Sequence, residues 1–282
     1  MNMAIPIQPV EVIRVGTHSL EVKPDLVVSE EPLEIRIGHG ATDNRQQFSV
    51  SVTMRTPGND EALCLGFLFT EGIINSMDEL ISVKYCEDLG RTEGMENLMR
   101  AELKPSVEIS KEQFKRNFYT TSSCGVCGKA SIDSIKVTCS PLSREAIQVK
   151  KELLFGLPDK LRASQDVFKH TGGLHASGLF DLQGELIAHH EDVGRHNALD
   201  KLIGSGLIEG ILPFSKSVLV LSGRISFELV QKALRAGIQL IAAVGAPSSL
   251  AVNLAEEFGM TLVGFLKGDR FNIYTGKERV IL

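Results

Sequence analysis

The sequence predicts an α/β protein, with a mixed sheet and flanking helices in the C-terminal domain and a smaller β-rich domain before it. Beyond Leu174, strands alternate with helices of about ten to fifteen residues, the spacing of crossover connections in a mainly parallel sheet covered on both faces. In the first third, β-branched residues recur at period two, the mark of half-buried strands. The chain has 282 residues, 43% of them hydrophobic and 23% charged. By size scaling it can bury roughly three quarters of its unfolded surface without disulfides or a structural metal. The expected divisions are a β-rich N-terminal domain over 1–117, a Cys-x-x-Cys loop and linker over 118–143, and an α/β domain over 144–282.

Strands are expected at Pro9 to Val15, Leu33 to Ile37, Phe48 to Met54 and Leu80 to Glu87. Asn59 and Asp60 are positioned to cap a helix over Glu61 to Ile73, with Gly72 weakening its end. Cys64 lies inside that apolar run and reads as a small buried hydrophobe. Arg91 to Glu96 is polar and reads as a loop between strands Lys84 to Glu87 and Leu98 to Leu103. Ser143 to Lys169 reads as helical with a break at Gly156 to Pro158, and Gly172-Gly173 ends it. Leu174 to Asp181 and Glu185 to His190 flank a Gln183-Gly184 turn and form a hairpin. Helices from Arg195 to Ile203, Phe227 to Ala236 and Pro247 to Phe258 then alternate with strands Val218 to Leu221, Gln239 to Val244 and Thr261 to Leu266.

A net charge of −5 argues against a general nucleic-acid or anionic-membrane binder, so an anionic ligand needs a local cationic pocket. The longest apolar stretches, Ala62 to Phe69 and Ile238 to Ala246, fall short of the roughly 20 residues that cross a bilayer. Met1 to Val15 lacks the pattern of a secretory signal. Five cysteines, Cys64, Cys86, Cys124, Cys127 and Cys139, fit reduced thiols and a cytoplasmic location.

Thr120 to Gly128 joins Cys124 and Cys127 to Ser, Thr and Gly, which favours an exposed loop over a core position. A helix over Lys129 to Ile135 would place Cys127 and Lys129 near its positive end, a setting that favours thiolate. Lowering a thiol from pKa about 8.5 to about 7 raises its ionised fraction at neutral pH from about 3% to half. Three chemistries compete for the pair. Zinc needs two further ligands, and only His189-His190 or scattered histidines could supply them. A thioredoxin-type centre should follow a strand in a β-α-β unit, which the Ser-rich approach does not match. A sulfur-carrying nucleophile would hold sulfane sulfur as a persulfide.

Glu191 to Asn197 and Ser222 to Glu228 each join a strand to a helix, where backbone amides plus Arg195 or Arg224 can hold an anion. Both turns are expected at one carboxyl edge of the sheet, the usual place for a ligand crevice. The run Phe265-Leu266-Lys267-Gly268-Asp269-Arg270 follows the last parallel strand, with a glycine between two cations that can contact phosphate.

Ser123-Cys124-Gly125-Val126-Cys127-Gly128, Thr171-Gly172-Gly173-Leu174-His175, Glu191 to Asn197, Ser222-Gly223-Arg224 and Gly245-Ala246-Pro247-Ser248-Ser249 together resemble the FdhD family of formate dehydrogenase accessory sulfurtransferases. The resemblance runs from about Glu31 to Thr275. It implies a cytosolic maturation factor that takes sulfur from a cysteine desulfurase as a persulfide on Cys124 and transfers it to the molybdenum cofactor of formate dehydrogenase. The role of Cys127 stays open between relay, resolution and binding. The resemblance also implies a homodimer, a cytidine deaminase-like C-terminal domain, and contact of Phe265 to Arg270 with bis-molybdopterin guanine dinucleotide, carried as cargo. Arg195 and Arg224 are the further cofactor-binding candidates, and no resident metal is expected. Deaminase chemistry does not follow: His175 is followed by Ala176 and Ser177, and no cysteine lies beyond Cys139. The rival from another class is a non-catalytic cofactor chaperone with a dithiol or zinc-binding Cys pair.

Overall fold

The computed structural model describes residues 5–86, 97–107, 142 and 147–282. Cys124, Cys127, Cys139, the Arg91 to Glu96 loop and the Lys129 to Ile135 helix lie outside the described residues. No helix among those described is long and apolar enough to cross a membrane.

Strands β1 (Ile7–Val15) and β2 (Leu20–Val28) form an antiparallel ribbon. The β2 strand was not expected, because Pro24 interrupts its alternation and removes a backbone donor. A four-stranded sheet follows, made of β3 (Glu31–His39), β4 (Gln46–Arg55), β5 (Leu80–Tyr85) and β6 (Leu98–Leu103) in the order β4-β3-β6-β5. Leu33, Ile35 and Ile37 alternate into the core as their spacing requires.

Helix α1 (Asp60–Thr70) is not capped by a side chain as expected: Asn59 takes a left-handed conformation and makes no capping bond. Asp60 instead accepts bonds from Arg55 Nη2 at 2.9 Å and Tyr85 Oη at 2.8 Å. Arg55 is 1% exposed, so its charge demands that partner more strongly than the helix demands a cap.

Short β7 (Val149–Lys150) pairs with β14 (Val280–Ile281). Helix α2 (Lys151–Ser164) runs through Gly156 and Pro158 rather than breaking there, because Leu154, Leu157 and Leu161 form one buried face. The break falls at Gln165, before α3 (Asp166–Thr171).

The larger sheet contains β8 (His175–Phe180), β9 (Leu186–Asp192), β10 (Val218–Leu221), β11 (Leu240–Ala243), β12 (Thr261–Lys267) and β13 (Arg270–Thr275). Its order is β13-β12-β11-β10-β8-β9, with β10, β11 and β12 parallel and the β8–β9 and β12–β13 pairs antiparallel. This is the expected mixed sheet. Helices α4 (Arg195–Ile208), α5 (Phe227–Arg235) and α6 (Ser249–Glu257) follow β9, β10 and β11. Val218, Val220, Leu240 and Val263 pack with α2 on one face. Leu219, Leu221, Ile241 and Leu262 pack on the other in a core shared with α1, α4 and the four-stranded sheet.

A buried ion pair and the hydrogen bonds around it tie the larger sheet to the end of β4. Asp192 meets Lys201 Nζ at 2.7 Å, accepts from the Thr56 backbone at 3.1 Å and from Asn197 Nδ2 at 3.1 Å. Asn197 also donates to the Met54 carbonyl at 2.7 Å. Both charged groups are almost fully buried, so removing one leaves the other uncompensated. Lys201→Met is therefore expected to destabilise the protein by about 3 to 5 kcal/mol. In a thermal scan this lowers the melting temperature by roughly 10 °C, and a shift below about 2 °C would remove the pair from the stabilising set.

Candidate functional site

The parallel register of β10, β11 and β12 sends their carboxyl ends to one edge of the sheet. Because β8 is antiparallel to β9 and to β10, β9 ends at the same edge and β8 begins there. Both predicted strand-to-helix turns and the β12–β13 turn therefore open on one side, as topology requires of an open α/β sheet.

At the β12 end, Lys267 pairs with Arg270 across a turn in which Gly268 has φ 59°. Phe265 is held at φ 53°, a conformation that strains a bulky residue by about 1 to 3 kcal/mol. Its N–H donates to the Gly245 carbonyl at 3.2 Å, and that turn keeps the strained residue in place. A cleft of about 310 Å³ results, lined by Val244, Phe265, Lys267, Arg270, Phe271 and Asn272. Of the predicted run, Phe265, Lys267 and Arg270 line it, Gly268 and Asp269 are exposed in the turn and do not line it, and Leu266 points into the core. Leu266 supports the cleft from beneath, because its neighbours in the strand face the opposite way. Sequence reasoning missed Val244, Phe271 and Asn272; alternation in β13 could not have signalled both of the last two, because adjacent strand residues face opposite ways.

Arg195 and Arg224 do not line that cleft. They lie at the β8–β10 part of the edge, both within electrostatic reach of His175. Burial and these two guanidinium groups together depress the protonation of His175 below the ordinary histidine range. Arg195 begins α4, and its Nε is buried with no hydrogen-bond partner among the described residues. Arg224 is exposed. His196 contacts Ser226 Oγ at 3.0 Å, and burial with Arg195 and Lys232 brings its pKa down to about 4.

Other members of the predicted turn serve the fold. Glu191 accepts from the backbone of Val167 at 3.1 Å and Phe168 at 3.0 Å, so it caps α3. Asp192 accepts from the Gly194 N–H at 2.8 Å and shapes the turn into α4. Cys64 is buried as expected, and burial pushes its thiol up to about 12, which leaves it unreactive. Among the described residues no group of three His, Cys, Asp or Glu could hold a metal ion.

The model of the FdhD/NarQ family matches residues 28–281. The sulfur carrier protein FdhD of Streptomyces coelicolor is 49% identical over 276 residues, covering 96% of this chain and 95% of that protein. The protein of the same name from Sulfurisphaera tokodaii is 43% identical over 276 residues, covering 98% of this chain and 99% of its own length. A crystal structure described as a formate dehydrogenase accessory protein from Desulfotalea psychrophila superposes with a TM-score of 0.73 at 23% identity, over 98% of this chain and 100% of that one, which shows a common fold. With its sheet edge built as described and its length matched almost end to end, the chain belongs to the FdhD/NarQ family.

Proposed function

We propose that the protein is a sulfurtransferase of formate dehydrogenase maturation. It accepts sulfur from a cysteine desulfurase on Cys124 and passes it to a molybdenum cofactor of the bis-molybdopterin guanine dinucleotide type, held at the carboxyl edge of the larger sheet. One observation carries the reading: a chain similar almost throughout to proteins named sulfur carriers holds Lys267 and Arg270 in one cleft at that edge. Two cations suit the phosphates of a dinucleotide, and Phe265 and Phe271 offer apolar surface for its base. The same reading takes the protein as a homodimer in the cytoplasm, where thiols stay reduced.

Loading is thiol–persulfide exchange. The Cys124 thiolate attacks the outer sulfur of the desulfurase persulfide, a new S–S bond forms, and the desulfurase cysteine leaves as thiolate. Attack by the Cys127 thiolate on the outer sulfur would relay the persulfide to Cys127 and free the Cys124 thiolate. Attack on the inner sulfur, Cys124 Sγ, would instead form a Cys124–Cys127 disulfide and expel the outer sulfur as sulfide, so this second attack must be avoided until delivery.

Incubation with a desulfurase and cysteine, followed by peptide mass spectrometry, is expected to show one added sulfur on Cys124. Wild-type levels of added sulfur in Cys124→Ala would overturn the assignment. Stoichiometric zinc lost with either cysteine would convert the pair to a metal site. For the cofactor end, Arg270→Ala is expected to weaken GDP binding by about 1.5 to 3 kcal/mol through loss of a charge-assisted phosphate contact. Unchanged affinity in a calorimetric titration would remove Arg270 from the cleft's function.

A further inference from the structure

The carboxyl edge holds a second cationic feature that the Phe265–Arg270 cleft does not include. His175 opens β8 directly opposite Asp192 of β9. Its ring lies against the β10–α5 turn, where a side-chain carbon on Gly223 would come within 3.2 Å of Nδ1. The turn is thus shaped around the imidazole. Arg195 approaches from the start of α4 with its Nε buried and unpartnered among the described residues. Arg224 approaches from the turn itself.

The charges facing His175 do not cancel. From α4 come Arg195 and His196, from the β10–α5 turn Arg224, and from β9 Asp192. Asp192 is already committed to Lys201, Gly194, Asn197 and Thr56. His196 is held by Ser226, and Glu228 of α5 lies 3.8 Å from His196. Lys232, further along α5, is paired with Asp200 at 2.9 Å. Asp192 and Glu228 offset part of this charge, Glu228 through Arg195 and His196. Among the described residues neither is hydrogen-bonded to His175, Arg195 or Arg224, and the N-terminal amides of α4 add to the cationic field.

We propose that His175, Arg195 and Arg224 form a second anion subsite for a diphosphate group, and that His175 takes up a proton as the anion binds. This rests on the cofactor-binding reading and assigns it a second contact. The β8 and β12 positions are three strand spacings apart, about 14 Å, so one extended dinucleotide can reach both. The arginines hold the anion, and its charge offsets their share of the effect that, with burial as the larger cause, disfavours the protonated imidazole. The proton comes from solvent to the ring nitrogen, and the imidazolium then donates to a phosphate oxygen.

The sign follows from linkage. A group whose pKa is low in the free protein and higher in the complex favours binding at low pH, and that contribution disappears as pH rises through its value in the complex. Each unit of rise on binding corresponds to about tenfold in affinity.

The test is GDP titration by calorimetry in buffers of different ionisation enthalpy, between about pH 5.5 and 7, with wild type and His175→Gln. Subtracting the variant removes the nucleotide's own protonation. Wild type is expected to take up more protons than His175→Gln and to bind about tenfold more tightly at the acid end, the gap closing as pH rises. Arg270→Ala is expected to bind more weakly with the His175-linked uptake retained. In wild type with no substitution, the His175 imidazole resonance should titrate at higher pH with GDP than without. GDP binding with equal uptake in both proteins and an unmoved His175 titration would overturn the second subsite alone. No GDP binding at all would overturn the cofactor reading and this inference with it.

Discussion

Formate dehydrogenase matured with a Cys124→Ala form of the protein is expected to show no more activity than when the protein is left out. Alanine removes the only atom at that position able to hold sulfane sulfur, and a neighbouring hydroxyl cannot replace it, because sulfur exchange needs a thiolate. Full activity with Cys124→Ala would make the protein a cofactor chaperone. Cys127→Ala is expected to retain sulfur loading at Cys124, since the first cysteine is the attacking group. The pair of variants thus separates carrying sulfur from resolving or relaying it.

The second large effect is structural. Gly204→Ala is expected to separate helices α1 and α4 and to abolish or strongly destabilise the folded state. A side-chain carbon at Gly204 would fall inside the Ala62 carbonyl, and one at Gly66 inside the Asp200 carbonyl. Both obstacles are backbone, so neither can swing aside. Overpacking a tight core costs about 1 to 3 kcal/mol when side chains can adjust, and here the helices themselves must move. Their movement also stretches the buried bonds of Asp200 to Thr70 and Lys232, each at 2.9 Å. Gly156→Ala in α2 is the internal control: its added carbon meets nothing within 4 Å. It should stabilise by about 0.5 to 1 kcal/mol through helix propensity. Denaturant midpoints of the two variants are expected to move in opposite directions. Equal midpoints for Gly204→Ala and wild type would show that the crossing has slack.

Local patterns were legible wherever one face of an element is buried and its period is undisturbed. The Val218–Leu221 strand matches its expected bounds residue for residue, and the hairpin around Gln183-Gly184 is present. The β2 strand is not legible because it belongs to a two-stranded ribbon with little burial, where no buried face imposes a clear alternation, and Pro24 interrupts what alternation there is. The break expected at Gly156 to Pro158 did not occur, since the buried leucines of α2 hold the helix through a proline that an isolated segment would not tolerate. Asn59 lost its expected capping role because the buried Arg55 claims Asp60 and fixes the turn differently.

For the candidate site, the residues that carry charge and sulfur, the order of the motifs and the family they belong to could all be read from the amino-acid order alone. Strand and turn chemistry also placed those motifs at one sheet edge. How the charges divide emerges once the chain is folded. Glu191 became a helix cap, Asp192 and Lys201 a buried pair, and Leu266 a core residue, while Lys267 and Arg270 face a cleft and His175 gathers Arg195 and Arg224. The physical reason is that periodicity reports which way a side chain points, whereas whether a charge is free depends on partners brought in from far along the chain. The Thr56 amide reaches Asp192 across 136 positions, and no local pattern encodes that meeting.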